Sequence, residues 1–144
     1  MKKLKELNCI LLVDDDEPTN FLHKNVIENA GIKTHVQTTE SGDEALEYLT
    51  CTGRYKNEKR YPQPGIIFLD INMPRMNGWE FLEEYKKLSP DQQAKIIIAM
   101  LTTSLNPDDE ARSKKTDMIA CFLNKPLTVE LINKVRKKYF NDGY

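Results

Sequence analysis

With 144 residues, 40% of them hydrophobic and 30% charged, the chain has the make-up of one globular domain able to bury a core. A formal net charge of −1 leaves no electrostatic footprint for nucleic acid or an anionic membrane, so neither is expected as a partner. The three cysteines, Cys9, Cys51 and Cys121, are odd in number and widely spaced without a CxxC pair, which argues for reduced thiols in a cytoplasmic protein, with Cys9 and Cys121 in the core.

After a polar leader with Lys2, Lys3, Lys5 and Glu6, the run Cys9 to Val13 predicts a strand buried on both faces. It stops at Asp14, Asp15 and Asp16, too soon for a signal peptide or a membrane span. Pro18 suits the first turn of a helix, and Phe21, Leu22, Val26, Ile27 and Ala30 recur at helical spacing until Gly31 stops it. Lys33 to Thr38 alternates around Val36 and reads as a strand nearer the sheet edge. Ser41 and Glu44 have the spacing of a capping box, in which hydroxyl and carboxylate satisfy orphan amides of a helix carrying Ala45, Leu46 and Leu49. Residues 50–65 lose periodicity and predict a long basic loop, with Arg54, Lys56, Lys59 and Arg60 against Glu58. A solvated connection is the plain reading of that loop, and a partner contact is the other.

Pro64 and Gly65 lead into Ile66 to Leu69, a second continuous apolar run, which ends on the carboxylate of Asp70 ahead of Asn72-Met73-Pro74. Gly78 opens a helix with Trp79, Phe81, Leu82, Tyr85 and Leu88 on its apolar side, closed by Ser89-Pro90. Ile96 to Leu101 predicts another buried strand, ending in Thr102-Thr103-Ser104. Asn106-Pro107 begins a short polar helix whose sparse apolar positions, Ala111 and Met118, predict weak anchoring and mobility. Ile119 to Leu123 is the last strand. It ends at Asn124-Lys125-Pro126, and Thr128 caps a helix carrying Leu131, Ile132, Val135 and Tyr139. The cations Lys134, Arg136, Lys137 and Lys138 read as a solvated helix end that complements the dipole. There is no internal repeat and no sign of a second domain: one domain is expected over 1–144, with its core at about 8–140 and no output domain.

Five strand-helix repeats imply an α/β fold, a doubly wound parallel sheet with helices on both faces and right-handed crossovers. The carboxyl ends of parallel strands share one edge, where such sheets bind ligands. Asp14 and Asp15, Asp70, Thr102 and Lys125 end four of the five strands, so four chain segments deliver carboxylates, a hydroxyl and an ammonium to one rim. Any one of them could cap a turn. Together they describe a site. Two carboxylates about 4 Å apart repel by roughly 4 kcal/mol at an effective dielectric near 20, so three call for a cation. All-oxygen ligation suits Mg²⁺, which accepts phosphate oxygens as further ligands and leaves Asp70 able to attack a phosphoryl group. Lys125 can pair with one phosphoryl oxygen and Thr102 can hydrogen-bond another.

These residues resemble the receiver domains of two-component response regulators, the CheY-like, flavodoxin-like fold. The motifs are Ile10 to Asp15, Leu69 to Pro74 with Asn77-Gly78, Leu101-Thr102, and Lys125-Pro126, in that order, and they cover nearly the whole chain. The resemblance implies the strand order 2-1-3-4-5. It implies that Asp70 is the phosphoacceptor, that Asp14, Asp15, Asp70 and the backbone carbonyl of Asn72 bind Mg²⁺, and that Thr102 and Lys125 read the phosphoryl group. It also places an aromatic switch residue three positions before the lysine, which here is Phe122. A Phe lacks the outward hydroxyl contact of a Tyr, so coupling to Thr102 would be through packing. Asn77 departs from the Asp commonly found before this Gly, and either residue can cap the helix. The basic loop is similar to the extended loop of single-domain regulators paired with phytochrome-type kinases.

The function so implied is that of a stand-alone response regulator, not an enzyme in the ordinary sense. A sensor histidine kinase or phosphotransfer protein phosphorylates it, and it acts through protein contacts rather than on DNA or membrane. The resemblance allows a homodimer through the fourth and fifth helices or the long loop. Two alternatives differ in class. One is a metal-dependent phosphohydrolase resembling the haloacid dehalogenase group, which would use Asp14 and Asp16 and leave Asp70 and Lys125 unexplained. The other is a degenerate receiver serving only as an interaction module, against which the complete residue set argues.

Overall fold

The computed structural model describes residues 7–56, 62–89, 97–103 and 106–139. Within them the strands β1 (Cys9–Val13), β2 (His35–Thr39), β3 (Ile66–Asp70), β4 (Ile97–Thr102) and β5 (Ile119–Asn124) alternate with helices. These are α1 (Glu17–Asn29), α2 (Gly42–Thr50), α3 (Gly78–Tyr85), α4 (Pro107–Lys114) and α5 (Val129–Tyr139). All four strand pairings are parallel, in the order β2-β1-β3-β4-β5, as the resemblance implies. The two continuous apolar runs are the central strands, and every residue of β1 and β3 is buried.

Although these runs show no alternation in sequence, the pleat sorts them between two cores. Cys9, Leu11, Val13, Ile67 and Leu69 face the layer of α2 and α3, where Tyr48, Phe81, Leu82 and Tyr85 pack. Ile10, Leu12, Ile66 and Phe68 face the layer of α1 and α5, where Ile27, Ile132, Val135 and Tyr139 pack. Each fully buried side chain of this size contributes about 1.5–3 kcal/mol, which holds the two central strands firmly in place. The outer strand β5 is only half-buried, and its register with β4 slips between Ile98 and Ala99. A groove of about 360 Å³ opens between α4 and β5, bordered by Ser113, Cys121 and Phe122.

Several helical details differ from expectation. The inward residues of α1 are Asn20, His23 and Ile27, whereas Phe21 and Leu22 are 67% and 48% exposed. The apolar stripe is rotated outward, and the inner face goes to two polar residues whose Nδ2 (Asn20) and Nε2 (His23) are hydrogen-bonded to backbone. Ser41 caps α2 as expected, accepting from the Glu44 amide at 3.0 Å, but the Glu44 carboxylate accepts from the Glu40 amide instead of closing the box. The complete capping box belongs to α3, between Asn77 and Glu80. That helix ends at Tyr85, before the expected Ser89-Pro90 stop.

The stretch after α2 is not a structureless loop at its start. A 3-10 turn, Gly53–Tyr55, buries Tyr55 edge-on against Tyr48, and the Tyr55 hydroxyl donates to Glu44 at 2.7 Å. Arg54 leans toward Glu44 and Glu47 at 3.6 and 4.0 Å while remaining largely exposed. Lys59, Arg60 and the rest of 57–61 lie outside the described residues. On α4, Ser113 is buried and Ala111 exposed, so the expected Ala111 anchor is replaced by a serine whose hydroxyl donates to the Glu110 carbonyl at 2.7 Å. Cys9 is buried and Cys121 half-buried at the edge strand, which corrects its assignment to the core. Burial pushes both thiols up to about 11. Arg136, read as solvated, is buried, with Nη2 donating to Asn133 at 3.0 Å. No helix among the described residues is long and apolar enough to cross a membrane.

Candidate functional site

The parallel order carries the ends of β1, β3, β4 and β5 to one rim, and the residues just past each apolar run meet there. Asp14 leaves β1 with its amide bonded to the Thr39 carbonyl at 3.1 Å, which ties it to the end of β2. Its side chain is buried and accepts from the Asp16 amide at 2.9 Å. Asp15 is exposed beside it. Asp70, the last residue of β3, is buried, and the following Ile71 amide donates to the Leu101 carbonyl at 3.2 Å. Asn72 donates its amide to Asp70 Oδ1 at 3.3 Å.

Gly78 closes the loop back onto this point: its amide donates to the Ile71 carbonyl at 2.8 Å, and a Cβ there would lie 2.8 Å from the Asp70 carbonyl oxygen. Only glycine permits that approach of α3 to the site.

Asp14, Asp15 and Asp70 each offer a carboxylate oxygen within 4.8 Å of the others. Lys125 reaches in from the end of β5, with Nζ 2.5 Å from Asp14 Oδ2 and 3.2 Å from Asp70 Oδ1. Burial pushes the Asp70 carboxyl above the ordinary carboxylate range; the Lys125 ammonium pulls it down and the Asp14 charge adds to the rise. For Lys125, burial works against the charge, but the hydrogen bond to Asp14 and the charges of Asp70 and Asp14 outweigh it and hold the ammonium above its usual range. The group is therefore a crowded anionic cleft bridged by one cation, and hard oxygen donors dominate it.

Thr102 is buried at the end of β4, and its carbonyl accepts the Lys125 amide at 2.8 Å. Phe122 pairs in register with Met100 and packs, half-buried, against the core on the α2 and α3 side. Asp16, needed as the second acid of the phosphohydrolase alternative, instead caps α1, accepting from the Thr19 amide at 3.1 Å and from its hydroxyl.

Two residues at the site carry no signal in the sequence. Asn20, buried on α1, donates through Nδ2 to the carbonyls of Asp14 and Thr39 at 3.0 and 3.2 Å. His23, one turn later, accepts the Leu127 amide on Nε2 at 3.2 Å. Burial pushes its imidazole below the ordinary range, the Asp14 carboxylate pulls it back up, and Lys125 lowers it further. Polar residues on a helix's inner face become legible only once their partners are placed.

A family model described as the response regulator receiver domain matches residues 10–136. Response regulator Rcp1 of Synechocystis is 34% identical over 81% of this chain and 75% of its own length. Its solved Mn(2+)-bound form superposes with a TM-score of 0.70 at 32% identity over 90% of each chain. A two-component response regulator from Cytophaga hutchinsonii gives a TM-score of 0.80 at 32% identity, covering 93% of this chain and 97% of the other. The bacteriophytochrome response regulator AtBRR gives 0.76 at 30% identity, covering 92% and 91%. An acid-lined rim at the carboxyl edge of a 2-1-3-4-5 sheet and this pattern of kinship converge on one assignment, and the chain belongs to the response regulator receiver domains, signalling proteins that work with histidine kinases or phosphotransfer proteins.

Proposed function

We propose that this chain is a phosphorylation switch: Asp70 takes a phosphoryl group from a sensor histidine kinase or phosphotransfer protein, and the modified receiver changes its protein contacts. The observation that carries the reading is the convergence of Asp14, Asp15 and Asp70 within 4.8 Å, with Lys125 on two of them. In the transfer an Asp70 oxygen bonds to phosphorus while the donor's P–N bond breaks, its electron pair leaving with the donor imidazole, and an acyl phosphate results. Lys125 shifts its ammonium onto a phosphoryl oxygen, and the Thr102 hydroxyl binds another.

One ammonium against three carboxylates leaves the cluster anionic, and its donors are all oxygen, which suits Mg²⁺. Asp14, Asp15, Asp70 and the Asn72 carbonyl are the ligands in this reading. When bound, the ion neutralises charge on the equatorial oxygens of the transferring group. Phosphorylation adds about −1.5 to −2 charge, and drawing Thr102 toward it shifts the outer strands, with Phe122 following through packing.

Exposed Phe21 and Leu22 on α1 and Val129, 38% exposed at the start of α5, support docking of a protein donor beside the cleft. Similarity to a bacteriophytochrome response regulator makes a bacteriophytochrome kinase the first donor to try. Free thiols at Cys9, Cys51 and Cys121 fit a cytoplasmic setting.

Incubation with phosphoramidate and Mg²⁺ is expected to add one phosphoryl group to the wild-type chain and none to Asp70→Asn, read by intact mass. Uptake by Asp70→Asn at the wild-type rate overturns the reading. A phosphotransfer profile against histidine kinases then names the donor.

A further inference from the structure

We infer that His23 is a positioning residue for phosphoryl transfer, a brace on α1 that holds the Lys125-Pro126-Leu127 turn and through it sets where the Lys125 ammonium stands. The inference rests on the assignment of Asp70 and Lys125 above and adds a residue to it.

The turn after β5 is held from two sides. On one, the Lys125 amide donates to the Thr102 carbonyl at 2.8 Å. On the other, the Leu127 amide donates to His23 Nε2 at 3.2 Å, across 104 residues of sequence. His23 is 1% exposed and Leu127 2%, so neither group has water as an alternative partner. Without the imidazole, the Leu127 amide is buried and unpaired, an unfavourable state, or the turn moves to find another acceptor. Since Lys125 is two residues away and its Nζ sits at 2.5 and 3.2 Å from two carboxylates, a small shift of the turn moves the ammonium off them.

The bond defines the state of the ring. Nε2 accepts, so it carries no proton, and the imidazole is neutral. The environment favours that form, since burial opposes the charge. Asp14 and Lys125 are the charged groups acting on the ring, and they pull in opposite directions.

Asn20 shows that this is the general use of the α1 inner face. It lies three residues before His23 and ties the ends of β1 and β2 together through the Asp14 and Thr39 carbonyls. A helix that buries Asn and His where an apolar pair would pack costs desolvation at both positions. Both side chains act on backbone next to a site residue. Asn20 serves Asp14, and His23 serves Lys125.

The test compares His23→Leu, which removes the acceptor, with His23→Gln, whose Oε1 can stand near the position of Nε2. Three readings are taken: phosphoryl uptake from phosphoramidate with Mg²⁺, Mg²⁺ affinity, and amide exchange at Leu127. A displaced catalytic group of this kind slows transfer by about ten- to a hundred-fold, so His23→Leu is expected to lose that much rate and its Leu127 protection with Mg²⁺ binding no weaker than in the wild type, since an ammonium moved off Asp14 and Asp70 competes less with the ion. His23→Gln is expected to recover most of both rate and protection.

Wild-type uptake in His23→Leu overturns the brace and leaves the phosphoacceptor reading intact, as does a Gln variant as slow as Leu while folded. If Leu127 is unprotected in the wild type, the brace falls on structural grounds alone. If the wild type takes up no phosphoryl group at all, the function falls, and the inference with it. Should His23→Leu fail to fold, His23→Gln still decides: protection retained with the rate lost contradicts the brace.

Discussion

The inner and outer halves of the sheet are built differently, and the site straddles them. In the inner half, β1 and β3 are buried at every residue and deliver Asp14 and Asp70 on strands locked between two cores. In the outer half, β5 is half-buried, its register slips beside Ala99, and Ser113 is the buried residue of α4. The lesson is a division of labour. In the proposed reading the carboxylates stand on the stiff part, while Phe122 and Lys125, which would respond to an arriving charge, belong to or adjoin half-buried β5, and Thr102 ends buried β4 beside it.

The comparison breaks most visibly in the core. Phe68→Ala, in the inner strand, is expected to cost about 3–5 kcal/mol in a urea melt. Leu123→Ala, on half-buried β5, is expected to cost less than half as much, and equal losses would erase the distinction.

Gly78→Ala comes next, since a Cβ there meets the rigid Asp70–Ile71 peptide, at the Asp70 carbonyl and at Ile71 Cα. Overpacking of this kind costs about 1–3 kcal/mol, and phosphoryl uptake is expected to fall with it because the clash pushes on Asp70 itself.

The smallest effect is set by pH. His23 has a folded pKa below its unfolded value, so below about pH 6.5 the unfolded chain binds a proton that the native one refuses. Stability from this residue is therefore present above that range and lost as pH falls through it, at up to about 1.4 kcal/mol per pH unit. Urea melts of metal-free wild type and His23→Gln between pH 7.5 and 5.5, values chosen to span the ordinary imidazole range, are expected to diverge on the acid side. Asp70 has the opposite sign: its raised carboxyl makes the native state the better proton binder from the ordinary carboxylate range up to its own pKa, so its stability contribution falls as pH rises there. That contribution is common to both proteins and cancels in the difference.

The rim of the site was legible because buried parallel strands write themselves as uninterrupted apolar runs, and the residue that ends each run stands at the ligand-binding edge. Asp14, Asp70, Thr102 and Lys125 all came from that rule. It could not reach α1. Spacing favoured Phe21 and Leu22 as inward, yet Asn20 and His23 take the inner face because their partners are the Thr39 carbonyl and the Leu127 amide, which no local pattern announces. Glu44 likewise had the spacing of a box but was drawn to the Glu40 amide and the Tyr55 hydroxyl.

Trp79 also joins the two halves, through α3 and α4. Its indole N–H donates to Asp109 at 3.0 Å, and the Arg112 guanidinium lies 4.4 Å above its ring, so the first turn of α3 is clasped to α4. It is also the chain's single tryptophan. Any departure of α4 strips a hydrogen bond and a cation from the same fluorophore, and emission from the unlabelled protein thereby becomes a direct optical record of the outer half leaving its resting place.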